Sequence, residues 1–169
     1  MDALFDAIPE RRTSRGRFIS VNIAISGTRN ISADDLVIIK ETMGKILLEH
    51  PEEILFGGAR GVDTVALMEA FQARKDARLP RLNVIVPWRL VDQPAEARER
   101  ARACADEIVE LKAASKLDMG AYARRNQELV KRADKLVAFW DGLSHGTGMT
   151  IDMAREKGIP VQVVKIGKK

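Results

Sequence analysis

The sequence predicts a doubly wound α/β domain, with a mostly parallel sheet of about five to six strands and helices on both faces. Short runs rich in β-branched residues alternate along the chain with longer stretches of helical periodicity. The short runs are almost continuously apolar, which is typical of strands covered on both faces of a parallel sheet. With 169 residues, 46% of them apolar, the chain has the size of one domain with a buried core.

Five short runs are predicted to be strands. Each is rich in Val, Ile and Leu, and at least one segment long enough for a helix separates it from the next. The runs are residues 21–25, 53–56, 82–86, 135–139 and 161–164. Helical connections of this kind join parallel strands, because they return the chain to the same end of the sheet.

The first two connections show clear helical periodicity. Ser32 and Asp34 are candidate caps for a first helix, whose apolar residues recur at helical spacing over residues 36–47. A second helix is predicted from Val62 to Ala77. Its apolar positions are mostly alanine, so this helix is expected to lie close to the sheet.

Three further helices complete the alternation. One opens at residues 92–94, which end in a proline suited to a first helical turn. Another is predicted near residues 119–133. The last is predicted at about 147–157 and ends at Gly158, with Pro160 just beyond it.

The first part of the chain differs from the rest. A short apolar patch of Leu4, Phe5 and Ile8 is followed by sequence rich in Arg, Ser and Gly. Residues 1–20 are therefore predicted to be an arm, either flexible or bound to a partner. Residues 21–169 are predicted to be the folded domain.

Composition excludes several classes of protein. The single cysteine, Cys104, excludes a disulfide framework and a cysteine-rich zinc site. No apolar run approaches the ~18 residues needed to cross a membrane. The first residues are acidic and lack a long apolar core, unlike a secretory signal. We therefore expect a cytoplasmic protein with no membrane partner.

Basic residues outnumber acidic ones, 28 to 24, for a net charge of +4. This excess is ordinary for a soluble surface, so its distribution is more informative. Basic residues cluster within 11–17, at 124–125 and at 131–132. Such clusters either form a solvated face or follow the phosphates of a nucleic acid, and the sequence leaves both interpretations open.

The segments that follow the predicted strands share an unusual composition. They collect glycines, hydroxyl groups, arginines and tryptophans, at residues 26–30, 57–63, 87–89 and 140–148. The carboxyl ends of parallel strands meet at one edge of the sheet, and open α/β folds bind their ligands there. The sequence therefore predicts a ligand site at this edge.

The segment after the second strand has the composition of an anion site. Gly57, Gly58 and Gly61 would let the backbone approach a ligand closely with its N–H groups. A helix that begins near Val62 adds the positive end of its dipole. Arg60 is a candidate for bidentate contact with a phosphate.

A second glycine-rich helix start lies near the end of the chain. Gly146 and Thr147 open the last predicted helix, and Ser144, Thr147 and Thr150 offer hydroxyl donors. Neither glycine-rich segment is a P-loop or a dinucleotide fingerprint, since the required spacings are missing. Together they predict a phosphate-bearing ligand.

Four further residues at this edge each have two interpretations. Trp88 and Trp140 either stack on a base or pack a loop onto the sheet. Asp63 either caps a helix or belongs to the site. His145 is a surface or hydrogen-bonding residue, or an acid/base group, and it has no second histidine nearby to form a metal site.

Five motifs taken together resemble a known family. They are Ile-Ser-Gly-Thr-Arg at 25–29, Gly-Gly-Ala-Arg-Gly-Val-Asp at 57–63, Arg125-Asn126, Ala-Asp-x-Leu-Val-Ala-Phe at 133–139, and Gly146-Thr147 with Thr150 and Ala154. In this order they resemble the Rossmann-like domain of the DNA-processing protein A (DprA/Smf) family and the superfamily that unites it with the LOG proteins. The resemblance extends over about residues 21–165 and is closest to small stand-alone members.

The resemblance implies a Rossmann-like fold and a site for nucleotides or nucleic-acid phosphates. The candidate ligand-binding residues are Ser26, Gly27, Thr28, Arg29, Gly57, Gly58, Ala59, Arg60, Gly61, Asp63, Arg125, Asn126, Ser144, Gly146, Thr147 and Thr150. A nucleotide ligand could bring Mg²⁺ with it, and no other cofactor or metal is expected. The resemblance also makes a homo-oligomer plausible.

Three functions follow from the resemblance and the residues. The first is a sensor or regulatory module that binds a nucleotide or nucleotide-derived ligand. The second is single-stranded DNA binding, as in DprA proteins. The third is LOG-like hydrolysis of a nucleotide N-glycoside with Asp63, Asp141 or His145 as acid/base, which is disfavoured because Thr150 stands where those enzymes carry a glutamate. No catalytic residue is assigned.

Overall fold

The structure, a computed structural model, describes residues 20–76, 78–112 and 120–167. Six strands and five α-helices alternate along this part of the chain. The strands are β1 (Asn22–Gly27), β2 (Glu53–Phe56), β3 (Arg81–Val86), β4 (Glu107–Glu110), β5 (Lys135–Trp140) and β6 (Val161–Lys165). The helices are α1 (Ala33–Leu48), α2 (Val62–Ala73), α3 (Ala95–Cys104), α4 (Ala121–Arg132) and α5 (His145–Lys157), with a short 3₁₀ helix at Leu90–Asp92.

All six strands are parallel and form one sheet in the order β4-β3-β2-β1-β5-β6. The chain starts at β1, moves outward through β2 and β3 to β4, and then returns to the other side of β1. Ile25 of β1 consequently lies between Phe56 of β2 and Val137 of β5. The predicted α/β class and parallel sheet are confirmed.

Helices cover both faces of the sheet. On one face, Ile39 of α1, Ala66 of α2 and Ala101 of α3 belong to one hydrophobic cluster. On the other, Leu129 of α4 and Ile151 of α5 belong to a second cluster. The strands supply both clusters because successive side chains point to opposite faces, which explains why their sequences are almost continuously apolar.

Local capping fixes the ends of several helices. Ser32 caps α1 as predicted, since its hydroxyl accepts from the N–H of Asp35 at 3.3 Å while the Asp35 carboxylate accepts from the N–H of Ser32 at 2.7 Å. Gly158 ends α5 in the left-handed conformation, also as predicted. At the C-terminus of α4, Lys157 Nζ donates to the carbonyls of Val130 and Ala133 at 2.8 and 2.9 Å.

The structure corrects some predicted boundaries. β4 was not among the predicted strands, because it is a short edge strand with an acidic residue at each end. α2 ends at Ala73, where Arg74 turns extended, and Ala77 lies outside the described residues. Pro94 is the N-cap of α3, as the predicted start at residues 92–94 requires, and its carbonyl accepts from the N–H of Arg98 at 2.9 Å, whereas Leu90–Asp92 forms a separate 3₁₀ helix.

Three further expectations concern the N-terminal arm, membrane-spanning segments and metal ligands. Apart from Ser20, the predicted arm lies outside them. Within them, no helix is long and apolar enough to cross a membrane. No three His, Cys, Asp or Glu side chains in the same residues are grouped as metal ligands would be.

Candidate functional site

A cavity of about 570 Å³ lies at the carboxyl edge of the sheet, between β1 and β5, where the order of the strands in the sheet reverses. The segments after β1, β2 and β5, together with α4 and the start of α5, form its wall. Among the predicted site residues, the wall contains Ser26, Gly27, Thr28, Arg29, Gly57, Ala59, Asp63, Arg125, Asn126, Ser144, Gly146 and Thr147. The predicted edge therefore does carry a cavity, at the topological switch point where open α/β folds bind ligands.

The end of β1 is fixed to its neighbours on both sides. The N–H of Thr28 donates to the carbonyl of Phe139 at 3.1 Å, and the N–H of Val62 donates to the carbonyl of Thr28 at 3.2 Å. A Cβ at Gly27 would overlap the side chain of Val62, so glycine is what lets α2 approach this closely. The floor of the cavity is thus held by β1, β5 and α2 together.

The glycines after β2 allow a turn that other residues could not make easily. Gly58 and Gly61 have φ values of +68° and +82°, in the left-handed region that favours glycine. A Cβ at Gly61 would also overlap the backbone of Arg29. The turn is therefore packed against the segment after β1, and it carries Ala59 to the cavity wall.

Asp63 is not the cap of α2. Gly61 occupies the cap position, and Asp63 lies in the first turn with its carboxylate directed back to the loop after β2. Its Oδ2 accepts from the N–H of Ala59 at 3.1 Å. Its Oδ1 is buried and has no hydrogen-bond partner within the described part of the chain. Only 5% of the residue is exposed, and it lines the cavity.

Burial dominates the electrostatics of Asp63. Removal from water raises its pKa from the ordinary 3.8 to about 6, although the positive charges of Arg125 and Arg29 and the nearby N–H groups lower it in part. At neutral pH the group is mostly ionised, and the backbone N–H groups of Ala59 and Gly57 help to stabilise its charge. An ionised oxygen without a partner is unusual in a protein interior and marks a functional-site candidate.

Arg125 lies in the middle of α4 and is also buried, with 7% exposed. Its Nε donates to Asn126 Oδ1 at 2.8 Å, and its Nη1 donates to the carbonyl of Gly57. Burial lowers the pKa of Arg125, and the carboxylate of Asp63 opposes that shift. An arginine still keeps its charge under these conditions.

Gly57 brings Asp63 and Arg125 together. A Cβ on Gly57 would lie 2.9 Å from Arg125 Nη1 and 2.9 Å from Asp63 Oδ2. Both charged groups therefore pass over the space that a side chain would fill. Any larger residue at this position would displace one of them.

Tyr122 is a site residue that the sequence interpretation missed. Arg29 lies over its ring at 5.0 Å from the centroid, and Arg125 at 5.6 Å. Trp88 contacts it edge-to-face, with ring centroids 5.0 Å apart. It is the single tyrosine of the chain and lies three residues before Arg125, a spacing that places two residues on one face of a helix. That spacing could have identified it.

The start of α5 lines the cavity and has N–H groups without a partner among the described residues. Asp141 Oδ1 accepts from the N–H groups of Leu143 and Ser144 at 2.8 and 2.7 Å, and these bonds hold the pKa of Asp141 below its usual range. The next N–H groups, those of residues 145–147, have no partner among the described residues. Such groups carry the positive end of the helix dipole and suit an anion.

Two of the predicted site residues, Thr150 and Gly58, are buried next to the cavity wall and do not line it. Thr150 is fully buried, and its hydroxyl donates to the carbonyl of Gly146 at 2.9 Å. Gly58 is buried behind the turn, where a Cβ would lie 2.7 Å from a methyl group of Val86. Neither residue lines the cavity. Thr150 stands at the position where the LOG motif has a glutamate, and its hydroxyl is already bonded to Gly146 within α5.

Arg60 and Gly61 line a second, smaller cavity of about 300 Å³. Arg29 and Asn30 line both cavities, so the two are neighbours on the surface. Arg60 is exposed and does not reach the larger cavity. Arg29 and Arg60 therefore share the smaller cavity, and of these two only Arg29 also lines the larger one.

The two tryptophans support the site without lining the larger cavity. Trp88 is 8% exposed and packs on Tyr122. Trp140 is half-buried, and its Nε1 donates to the carbonyl of Ser144 at 2.9 Å. A Cβ at Gly148 would lie 3.3 Å from the Trp140 ring, so this side chain holds the first turn of α5. Base stacking by either ring stays a prediction.

The family model described as DNA recombination-mediator protein A matches residues 16–167. No curated protein matches the chain. Among solved structures, DNA processing protein A from Helicobacter pylori, described as having a unique single-stranded DNA binding mode, is 23% identical with a TM-score of 0.67. The alignment covers 85% of this chain and 64% of that one.

Two further structures are similar. DNA processing protein A from Streptococcus pneumoniae is 20% identical with a TM-score of 0.68, over 85% of this chain and 50% of that one. The molybdenum cofactor binding protein from Rippkaea orientalis is 20% identical with a TM-score of 0.62, over 88% of this chain and 78% of that one. At these identities the likeness establishes the fold alone. The chain spans about two thirds or less of the two DNA processing proteins.

Proposed function

The chain belongs to the DNA recombination-mediator protein A family, and on that premise we propose that it binds a phosphate-bearing ligand of nucleotide size in the cavity between β1 and β5. One observation carries the proposal: Arg29 lines the same cavity as residues 145–147, whose N–H groups have no partner in the described part of the chain. A phosphate placed there would accept from the helix N-terminus and from an arginine together.

The size of the cavity suits such a ligand. Small-molecule sites commonly enclose ~300–1,000 Å³, and this cavity of about 570 Å³ lies within that range. The loops that form it are attached directly to strand and helix ends, as the bonds of Thr28 and Asp141 show. The site is therefore largely formed before a ligand arrives.

The charges of the wall divide the cavity into two regions. Asp141 is held by two backbone N–H groups next to the α5 start, so its charge is partly offset there. Asp63 lies on the opposite side of the β1 segment, beside Arg125. We place the phosphate at α5 and Arg29, because the Asp63 carboxylate would repel it.

We propose binding in preference to hydrolysis of an N-glycoside. Thr150, which stands at the position of the LOG glutamate, is buried and bonded within α5. The pKa of Asp141 is lowered, so this group is a poor proton donor at neutral pH. A sensor or regulatory module needs no such donor.

Single-stranded DNA binding is the second candidate, and the shape of the edge favours it. Arg29 is exposed and lines both cavities, and Arg60 is exposed in the second one. A single DNA strand could follow these two arginines from one cavity to the next. The similarity to DNA processing protein A from Helicobacter pylori, a protein that binds single-stranded DNA, suggests this arrangement. Residues 124–125 do not form a surface cluster with them, since Arg125 is buried.

Binding measurements on the Arg29→Ala variant test the proposal. Arg29 is exposed, so the variant should stay folded while losing a charge-assisted bond, which weakens affinity about 10-fold or more. Arg102→Ala, an exposed arginine on α3, removes the same charge away from the cavity and should bind normally. Unchanged affinity of the Arg29 variant for every ligand that the wild type binds would refute the proposal.

The choice of ligands separates the two candidates. Calorimetry with nucleoside mono- and diphosphates, nucleotide sugars, dinucleotides and a dT oligomer is run at roughly 50 and 200 mM salt. A small ligand that binds at both salt concentrations supports the pocket. Binding of the oligomer alone, falling steeply with salt because counterions are released, supports the DNA interface instead.

A further inference from the structure

Asp63 has one carboxylate oxygen that the protein itself does not use. Oδ2 accepts from the N–H of Ala59, whereas Oδ1 is buried and has no partner within the described residues. Asp63 is one of the residues that line the cavity. A capping or purely structural carboxylate would have both oxygens satisfied by the fold. This oxygen therefore lacks a donor that a group bound against Asp63 in the cavity could supply.

The surroundings of Oδ1 restrict what that group can be. Arg125 on α4 and Arg29 after β1 are the charged groups that face Asp63, and their positive charges disfavour a metal ion or an ammonium group. The carboxylate itself disfavours an anion. No cluster of three metal-ligating side chains is present in the described part of the chain. A neutral hydrogen-bond donor is what remains, and a hydroxyl group is the neutral donor that a nucleotide carries next to its phosphate.

We infer that Asp63 is a specificity residue that accepts a hydrogen bond from a sugar hydroxyl of the bound ligand, so that the site selects free ribonucleotides over nucleotides without sugar hydroxyls. This inference rests on the proposed function, since it concerns the same cavity. It assigns the phosphate to the α5 side and the sugar to the Asp63 side. Internal nucleotides of single-stranded DNA, which have no free sugar hydroxyl, would not satisfy Asp63.

The Asp63→Asn variant tests this assignment with little change of shape. The N–H of Ala59 requires an acceptor, so the amide oxygen is expected to take the place of Oδ2 and the amide NH₂ to replace Oδ1. The variant therefore presents a donor to the cavity where the wild type presents an acceptor. Asp152→Asn, an exposed carboxylate on α5, is the matched control for the charge change.

The measurement is the ratio of the dissociation constants of a 2′,3′-dideoxynucleoside monophosphate and the ribonucleotide of the same base. We expect the wild type and the Asp152 variant to bind the ribonucleotide at least about 10-fold more tightly, and the Asp63 variant to bind both alike. Equal binding of the two ligands by the wild type, or an unchanged ratio in the Asp63 variant, would overturn the inference and leave the proposed function standing. Binding of no nucleotide at all by the wild type refutes the proposed function itself, and the inference with it.

A measurement on the wild type alone covers the case in which the Asp63 variant does not fold. The ratio is measured at pH 7.5 and pH 5, on either side of the Asp63 titration. Both ligands carry the same phosphate, so its own titration cancels from the ratio. A preference for the ribonucleotide that weakens at pH 5 supports the inference, and a preference independent of pH contradicts it.

Discussion

The buried carboxylate of Asp63 should lower the stability of the protein at neutral pH, and the Asp63→Asn variant measures by how much. The pKa of this group is 3.8 when the chain is unfolded and about 6 when it is folded. The folded protein thus holds the proton more tightly between about pH 4 and pH 6, and the free energy of unfolding falls as pH rises through that window. The difference corresponds to about 3 kcal/mol at pH 7.

The assay is urea unfolding of both proteins at pH 4 and pH 7. All other groups titrate almost equally in the two proteins, so their contributions cancel when the free energies of unfolding are subtracted. We expect the stability of the variant relative to the wild type to rise by about 2.5 kcal/mol from pH 4 to pH 7, because the carboxyl of the unfolded chain is already partly ionised at pH 4. Only this change with pH is used, because the asparagine amide has its own hydrogen-bonding cost at any pH.

The opposite trend would refute the reasoning. If attraction to Arg125 and Arg29 outweighed burial, the folded pKa would lie below 3.8, and the variant would lose stability relative to the wild type as pH rises. A difference that stays constant between pH 4 and pH 7 would mean that the folded pKa equals the unfolded one, so that burial is absent or is fully offset by the arginine charges and the N–H groups. Either outcome would also remove the basis for treating Oδ1 as an unsatisfied acceptor.

Two further predictions concern the loops that build the cavity. Gly61→Ala should destabilise the protein by more than about 2 kcal/mol, because φ is +82° and the new Cβ would overlap the backbone of Arg29. Gly146→Ala is the control, since the space around Gly146 is open, and it should change stability by about 0.5 kcal/mol or less. Equal urea midpoints for the two variants would contradict this prediction. Asp141→Ala should cost about 1 kcal/mol at pH 7, since two N–H groups lose their acceptor. Because the folded pKa of Asp141 is lowered, that cost should shrink as the pH falls through the acidic range, and a cost that persists in acid would count against the bonds to Leu143 and Ser144.

Much of the fold could be predicted because the features that determine it are local. The period of the apolar residues identified five of the six strands, and the cap at Ser32 and the stop at Gly158 identified helix ends. β4 was missed because an edge strand buries less of its surface and carries charges at its ends. Its assignment depends on pairing with β3, which no local pattern shows.

The site was predicted at the level of loops and corrected at the level of side chains. The residues that follow the strands were expected to converge, and most of them do line one cavity. Arg60, however, faces a neighbouring cavity, and Thr150 is turned inward to Gly146. The direction of each side chain depends on its turn within a helix and on what packs against it, which the order of residues does not reveal.

By itself, the sequence determined the α/β class, the parallel sheet and the edge at which polar loops collect, because these depend on apolar periodicity and on the chain's alternation of strands and helices. Only the tertiary structure decided that Asp63 and Arg125, 62 positions apart, meet over Gly57 and that Tyr122 joins them. Burial and the distances between charges control the pKa of Asp63, and packing leaves its Oδ1 without a partner among the residues that the structure describes. Both are properties of packing, and they exist only once distant segments are brought together.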